Sequence, residues 1–449
     1  MILRGEEVFI VPSQYRDRVF LYAPLRSYLA LTSSRHAAAL SSTQPTAEQD
    51  ALLACLRARP QVPHFRIAPM ADVTPRIQRL TISLSDACNL RCVYCHTYRP
   101  NHQACTLPVT ILEPLIAAFV RNTTAPILYF EFLGDGEPTR SFQLLKRCVE
   151  LIRGHRAARP FSSKILLTTN GYFGPRVRRY LARNVDAITV SFDGFKSIQD
   201  LHRPVADGAS SYPTVYETVR FFHQVHAAIT LRITVTPYSI EHLDAILGFF
   251  QESFPGIEVR IEPVRAAGRA LECFPDLSDF AGEVAKAIAN SWLLTSTSLK
   301  LAKPYNGEGT MYDSIRTIGC PMLEYGNWKI TADGNILCCD ALVPSNPLFL
   351  GRCDFQRNTI PSVTHRINEL RKTWHVDNNP LCADCFCKYH CSGMCPLLPP
   401  TEVRRSCDDV RKEGAEWLHA KASDGAGTTA VNQTKGSATQ RESIWERIK

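Results

Sequence analysis

Six short apolar runs recur along the middle of the chain: Gln78–Leu84, Ile127–Leu133, Lys164–Thr169, Ala187–Phe192, Ile229–Thr236 and Ile257–Glu262. Amphipathic stretches such as Val109–Arg121, Ser141–Gly154 and Thr214–His226 separate them. No other feature restricts the fold as much, because strands alternating with helices mean a parallel sheet, closed or partly closed into a barrel. The expected architecture is α/β, a partial (β/α)6 TIM-like barrel over residues 78–300. In such barrels chemistry gathers at the C-terminal ends of the strands, and the unusual sequences lie there. A cysteine triplet follows the first run and Gly134-Asp-Gly-Glu-Pro138 the second. Thr169-Asn-Gly171 follows the third, Ser191-Phe-Asp-Gly194 the fourth and Glu262-Pro-Val-Arg265 the sixth. Each motif alone reads as a turn; together they mark one rim.

The triplet is Cys88, Cys92 and Cys95 in Ser85-Asp-Ala-Cys-Asn-Leu-Arg-Cys-Val-Tyr-Cys-His96. Three thiolates this close can hold three corners of a cubane iron–sulfur cluster, leaving the fourth iron open to a reactive ligand. A zinc knuckle or a disulfide knot uses the same residues, but zinc wants a fourth ligand and His96 adjoins Cys95 awkwardly. Seventeen of the 449 residues are cysteine, gathered mainly at 88–95 and 320–407. The N-terminus lacks the basic start and apolar core of a signal peptide, so a cytoplasmic location is expected. There thiols stay reduced, and clustered cysteine points to metal or catalysis. The net charge of +8 is spread among acids, which disfavours nucleic acid as a partner. No apolar run approaches the roughly 18 residues that span a bilayer.

Residues 1–77 read as an N-terminal α+β extension. Val8–Pro12 and Arg18–Tyr22 have strand character, Tyr28–Leu40 and Thr46–Arg57 helical character, and Pro60, Pro63 and Pro69 mark a linker. Residues 301–410 lose the alternation and turn Cys-rich; residues 411–449 form a tail expected to be largely disordered.

With its aromatic Tyr94, the spacing Cys88-x3-Cys92-x2-Cys95 resembles the signature of radical S-adenosylmethionine enzymes. Asp135-Gly-Glu-Pro138 resembles their Gly-Gly-Glu-Pro motif, with Asp in place of the first Gly. The C-terminal series is similar to the seven-cysteine pattern of SPASM domains, which hold two auxiliary iron–sulfur clusters. That series runs Cys320, Gly334, Cys339, Cys382-x2-Cys385-x5-Cys391-x3-Cys395 and Cys407. The resemblance implies a [4Fe-4S] cluster on Cys88, Cys92 and Cys95 that binds S-adenosylmethionine. It assigns the first auxiliary cluster to Cys320, Cys339 and Cys395, and the second to Cys382, Cys385, Cys391 and Cys407. Fully ligated relatives carry another Cys where this chain has Ser314; Cys338, Cys353 or Cys387 could take its place. The backbone of Gly134, Asp135 and Gly136, with Glu137, would bind the methionyl ammonium. Thr169, Asn170, Ser191 and Asp193 would approach the ribose and carboxylate, Arg203 would pair with the carboxylate, and Tyr94 would face the adenine. Asp340, next to Cys339, matches a residue that acts as a base in sulfatase-maturating relatives.

The implied activity is reductive cleavage of S-adenosylmethionine to a 5′-deoxyadenosyl radical that takes hydrogen from a peptide. The leading expectation is modification of a ribosomally made precursor peptide, by crosslinking or oxidation. The alternatives are sulfatase-type oxidation of a Cys or Ser in a protein, and a non-catalytic iron–sulfur protein for recruitment or electron transfer. Tyr22-Ala-Pro-Leu-Arg-Ser-Tyr-Leu-Ala-Leu-Thr32 resembles peptide-chaperone domains that grip leader peptides at a sheet edge. An electron donor such as flavodoxin or ferredoxin is the other expected partner.

Overall fold

A computed structural model describes residues 7–40, 46–59, 78–123, 125–158, 162–274, 276–277, 280–291, 300–301, 318–339, 347–393, 395, 397 and 400–423. The chain forms two compact units. One joins Met1–Val73, Tyr305–Glu324 and His365–Lys449; the other joins Thr74–Pro304 and Tyr325–Thr364.

The first unit opens on an antiparallel meander of β1 (Phe9–Pro12), β2 (Arg18–Ala23) and β3 (Tyr28–Ser33). The expected helix from Tyr28 is corrected here, because Tyr28–Ser33 pairs along β2 and the helix begins only at Ser34. The cause is local. A tight turn at Pro24–Arg26 ends on Ser27 at φ 47°, and this left-handed residue sends the chain back along β2. Alternation buries both faces of the sheet. Phe9, Val11, Phe20 and Tyr22 pack on Leu418, and Val8, Leu21 and Ala23 on Ala37, Leu40 and Leu56. The helix Ala47–Arg57 starts where expected, fixed by a capping box in which Thr46 and Gln49 exchange bonds of 3.1 and 3.2 Å.

The expectation of a largely disordered tail from residue 411 also needs correction, because the helix Pro400–Ser423 runs well into it. Val410, Trp417 and Leu418 recur at helical spacing and pack against Cys387, Phe386 and the meander. That apolar stripe offsets the cost of ordering a polar sequence. Residues 424–449 lie outside the described part.

In the second unit the strands are β4 (Arg79–Ile82), β5 (Ile127–Phe132), β6 (Ser162–Thr169), β7 (Ala187–Ser191), β8 (Ile229–Val235) and β9 (Glu258–Pro263). They lie side by side in sequence order and all parallel. Helices Leu112–Arg121, Phe142–Ala158, Pro175–Asn184, Tyr212–Gln224 and Leu243–Ser253 supply the crossovers. This is the expected partial barrel. Leu80, Ile82, Leu128, Phe130, Phe132, Ile188, Val190, Leu231, Ile233 and Val235 are buried. The alternate positions Thr81, Glu131, Arg232 and Thr234 line the interior, where Arg79 and Glu131 form a 2.9 Å ion pair.

The sheet extends beyond the six runs. β10 (Lys300–Leu301) adds parallel to β9. β11 (Trp328–Ile330), β12 (Asn335–Leu337) and β13 (Phe349–Arg352) add beyond β4, completing ten strands. β11 runs parallel to β4, and the hairpin β11–β12 turns at Gly334, φ 91°. Trp328 and Ile330 are buried, Trp328 against Phe119, while Lys329 points to the opposite face of the strand.

Candidate active site

The triplet occupies the loop after β4, and that loop is tied down from three directions. On one side, Arg91 N–H donates to Pro204 O at 2.8 Å, Val93 N–H to His202 O at 3.0 Å and Ala206 N–H to Asn89 O at 3.1 Å. On a second side, Glu137 N–H donates to Ala87 O at 2.9 Å. A Cβ on Gly136 would stand 2.4 Å from that same carbonyl, so only glycine permits the approach. On the third side, Gly268 at φ 56° lies so close that a Cβ would meet Cys95 O at 2.3 Å. Arg269 then donates from its N–H to Cys95 O at 3.0 Å and from Nη1 to Cys92 O at 3.1 Å, with its guanidinium 3.9 Å over Tyr98.

Each sulfur has a polar neighbour. Asn170 Nδ2 donates toward Cys88 Sγ and Arg203 Nη1 toward Cys92 Sγ, both at 3.8 Å, and Thr97 Oγ1 lies 3.3 Å from Cys95 Sγ. Burial raises the Cys88 thiol and pushes Cys92 up to about 12, with Arg203 pulling the latter down. Donors at Cys88 and Cys92 suit thiolates that ligate iron and share charge with a cluster. Among the described residues, the ligand atoms that all lie within 4.8 Å of one another are those of Asp86, His102 and Cys105, not of the triplet. Asp86 has another task. It accepts from Arg99, His102 and the Cys105 amide at 3.0, 2.5 and 2.6 Å, and so pins the following segment to the loop.

After β5, Glu137 is buried, and its oxygens take four donors. Oε1 accepts from Thr139 N, Thr139 Oγ1 and Thr169 Oγ1 at 3.1, 2.7 and 2.7 Å, and Oε2 from Asn170 N at 2.7 Å. Burial still raises its pKa against these bonds. The carboxylate therefore joins the rims of β5 and β6. Asp135, where the motif usually has glycine, is also buried. Its carboxylate accepts from Lys329 Nζ at 3.2 Å and Ser83 Oγ at 3.3 Å, and its carbonyl from Thr97 Oγ1 at 2.8 Å.

After β7, Asp193 is fully buried. It accepts from Arg203 Nε at 2.9 Å, His202 Nδ1 at 3.2 Å, Thr234 N at 3.0 Å and the Tyr94 hydroxyl. Burial disfavours its charge, but Arg203, His202 and the Thr234 amide outweigh burial and hold the carboxyl far below its usual range. Arg203 stacks 5.1 Å over Tyr94. Its guanidinium thus serves Asp193 and Cys92. Ser191 Oγ accepts from Arg232 Nη2 at 3.0 Å, and Arg232 Nε is a buried donor with no partner among the described residues.

The structure brings together Cys88, Cys92, Cys95, Tyr94, Gly134, Asp135, Gly136, Glu137, Thr169, Asn170, Ser191, Asp193 and Arg203 on one rim. It adds Arg232, Lys329, His202 and Arg269, which sequence reasoning missed. Arg232 had a signal, the lone charge inside an apolar strand run. Lys329 and Arg269 had none, since their partners lie far along the chain; His202 adjoins Arg203 and shares its partner Asp193.

In the first unit Cys382, Cys385, Cys391 and Cys407 share one neighbourhood: burial pushes the Cys382 thiol up to about 12, and the other three add to the rise. The peptide Lys388–Cys391 is held by Lys388 to Asp377 at 3.0 Å, Tyr389 to Asp377 at 3.1 Å and His390 to Tyr22 at 2.5 Å. Cys387 is buried beside Cys385 and Cys391, donating to Val410 O at 3.7 Å, which aligns it with this second set. Burial raises the Cys320 thiol, and Cys395 adds to the rise. Cys339 follows β12 in the other unit, where Cys338 and Cys353 are buried. Ser314 and Asp340 lie outside the described residues.

A parallel barrel whose first loop carries Cys-x3-Cys-x2-Cys, cradled by a Gly-x-Gly-Glu turn, defines a radical S-adenosylmethionine domain. Residues 82–250 match the profile of the Radical SAM superfamily. The Cysteine-type anaerobic sulfatase-maturating enzyme of Clostridium perfringens is 24% identical over 184 residues, 40% of this chain and 49% of that protein. The Serine-type anaerobic sulfatase-maturating enzyme of Klebsiella aerogenes is 22% identical over 323 residues, 70% of this chain and 78% of that protein. The chain thus spans about half the length of the first of these relatives. The solved structure "Native anSMEcpe with bound AdoMet" shares the fold with a TM-score of 0.56 at 18% identity, covering 77% of this chain and 99% of that one. Among the described residues no helix is long and apolar enough to cross a membrane.

Proposed function

We propose that this chain is a radical S-adenosylmethionine enzyme that modifies a peptide, most simply a ribosomally made precursor, by crosslinking or oxidation. The observation that carries the reading is the convergence of Cys88, Cys92 and Cys95 on one loop, with Asn170 donating toward Cys88, Arg203 toward Cys92 and Thr97 Oγ1 beside Cys95. These cysteines would hold a [4Fe-4S] cluster with S-adenosylmethionine. Together the two supply one-electron cleavage of a carbon–sulfur bond and a radical able to take hydrogen from unactivated carbon. The chain's own part is binding and orientation. The backbone of Gly134, Asp135 and Gly136 would take the ammonium, and Tyr94 the adenine. Because Arg203 is committed to Asp193, the carboxylate falls to Ser191 and Arg232, whose Nε lacks a partner among the described residues. Cys382, Cys385, Cys391 and Cys407 would hold one auxiliary cluster, and Cys320, Cys339 and Cys395 another. A flavodoxin- or ferredoxin-like protein would supply the electron, in the cytoplasm.

The N-terminal unit supports a peptide substrate. Within the described residues β1 and β3 each pair only with β2, leaving outer edges suited to strand addition by a leader segment. A second reading, oxidation of one Cys or Ser in a protein, is favoured by the names of the curated relatives, and Asp340 would then be its base.

The test is anaerobic reconstitution followed by assay for 5′-deoxyadenosine with S-adenosylmethionine and dithionite. The wild type produces it; Cys92→Ala does not, and product from that variant would overturn the mechanism. Anaerobic co-expression with a short reading frame beside the gene, read by mass spectrometry, addresses the substrate. A loss of two mass units supports crosslinking or oxidation.

A further inference from the structure

The helices Phe142–Ala158 and Pro175–Asn184 stand side by side on the outside of the barrel and enclose a groove of about 240 Å³. Its walls are Phe142, Lys146, Arg176, Arg179, Tyr180, Arg183 and Asn184: four cations and no carboxylate. Pro175–Asn184 carries arginine at 176, 178, 179 and 183 and no acid at all. Arg178 turns inward, donating to Thr218 at 2.9 Å, but Arg176, Arg179 and Arg183 are exposed. Among the described residues none of Lys146, Arg176, Arg179 and Arg183 forms an ion pair. Lys146 lies 5.8 Å over the Tyr180 ring, which meets Phe142 edge-on at 5.3 Å. The nearby acids are already engaged, Glu150 with Arg147 and Glu217 with Arg220. A solvated helix face normally mixes signs; this one presents unopposed cations around an aromatic floor.

The position of the groove matters as much as its charge. Phe142 follows Glu137 by five residues, and Glu137 is bonded to the carbonyl of Ala87, next to Cys88. Arg176 follows Asn170 by six residues, and Asn170 donates to Cys88 Sγ. Six residues span at most about 20 Å even when fully extended, so the near end of the groove, on the barrel's outer surface, lies within that reach of the residues that hold the cysteine loop.

We propose that this groove is the docking site of an acidic one-electron carrier protein, which delivers to the barrel the electron that its chemistry consumes. The proposal rests on the radical S-adenosylmethionine reading. Charge complementarity selects the occupant: an acidic carrier is steered to unopposed arginines, and the aromatic floor gives it an apolar contact once seated. In the transfer, one electron leaves a flavin hydroquinone, which becomes the semiquinone, and enters the oxidised cluster; no bond breaks.

The experiment uses the full-length, anaerobically reconstituted protein and two reductants, flavodoxin hydroquinone and dithionite, with cluster bleaching followed by stopped flow at low and high salt. The variant R176E/R179E/R183E changes exposed side chains only. It is expected to lose tenfold or more of the flavodoxin rate at low salt and most of the salt dependence, while dithionite bleaches it at the wild-type rate. A control, R16E/K372E/K412E, applies the same charge change elsewhere and should keep the flavodoxin rate. Equal flavodoxin rates for wild type and the groove variant overturn the proposal, as does an equal loss in the control. A groove filled by a small anion instead would leave the flavodoxin rate unmoved and so counts against it too. If wild-type protein holds no cluster that dithionite bleaches, the underlying reading fails rather than the docking site.

Discussion

Single side chains at the rim do work that their motifs do not announce. Glu137 sits in a recognisable position, yet its carboxylate is consumed by four donors from Thr139, Thr169 and Asn170. Glu137→Gln places an amide donor against them, and is expected to cost about 1–3 kcal/mol of stability for each donor left unsatisfied, measured as a shift in the urea midpoint. Asp193 gives a pH signature. Its folded pKa lies below the unfolded value of about 3.9, so its contribution is complete at neutral pH and is lost as pH falls below about 4. The urea midpoint should therefore drop on acidification through that window, and Asp193→Asn should flatten the drop. Arg232→Met should weaken S-adenosylmethionine binding at least tenfold in equilibrium dialysis while sparing the cysteines, and Arg203→Met should instead disturb the iron.

Strands and loops explain which parts were legible beforehand. The six runs announced β4–β9 because a strand buried on its outer side must repeat apolar residues at period two, and helices between parallel strands must follow 3.6. The rim motifs were visible for the same reason, since each directly follows such a run. β11–β13 were hidden. They are short, they sit among cysteines, and β11 joins β4 only through pairing distant in sequence. The helix expected from Tyr28 failed because Leu29 and Leu31, two apart, share a face only in a strand, and the left-handed Ser27 turns them back along β2. Pairing by β11 carries Lys329 to Asp135, a buried ion pair with one partner on each element. Removing one partner from such a pair costs about 3–5 kcal/mol. Lys329→Met should therefore destabilise by that order, and the double variant with Asp135→Asn by less than the sum, as read by a double-mutant cycle in urea.

For the whole chain, iron is the variable that links folding to chemistry. The buried thiols Cys92 and Cys382, each pushed up to about 12, are protonated at neutral pH without metal, so loading must expel their protons. Reconstituted protein should melt higher than chelator-treated protein, since a ligand of the folded state alone stabilises by mass action. Replacing Cys382 and Cys385 by serine should remove one cluster's iron and leave S-adenosylmethionine binding in place. Gly268 then acquires a meaning that its sequence conceals. Pressed against the carbonyls of Cys95 and His96, it acts as a backstop for the ligand loop, although it has no side chain and belongs to no motif. Its replacement by alanine would look like a lost metal ligand: low iron, no radical and intact distant strands. A genetic screen would then map iron deficiency to a residue that never touches iron.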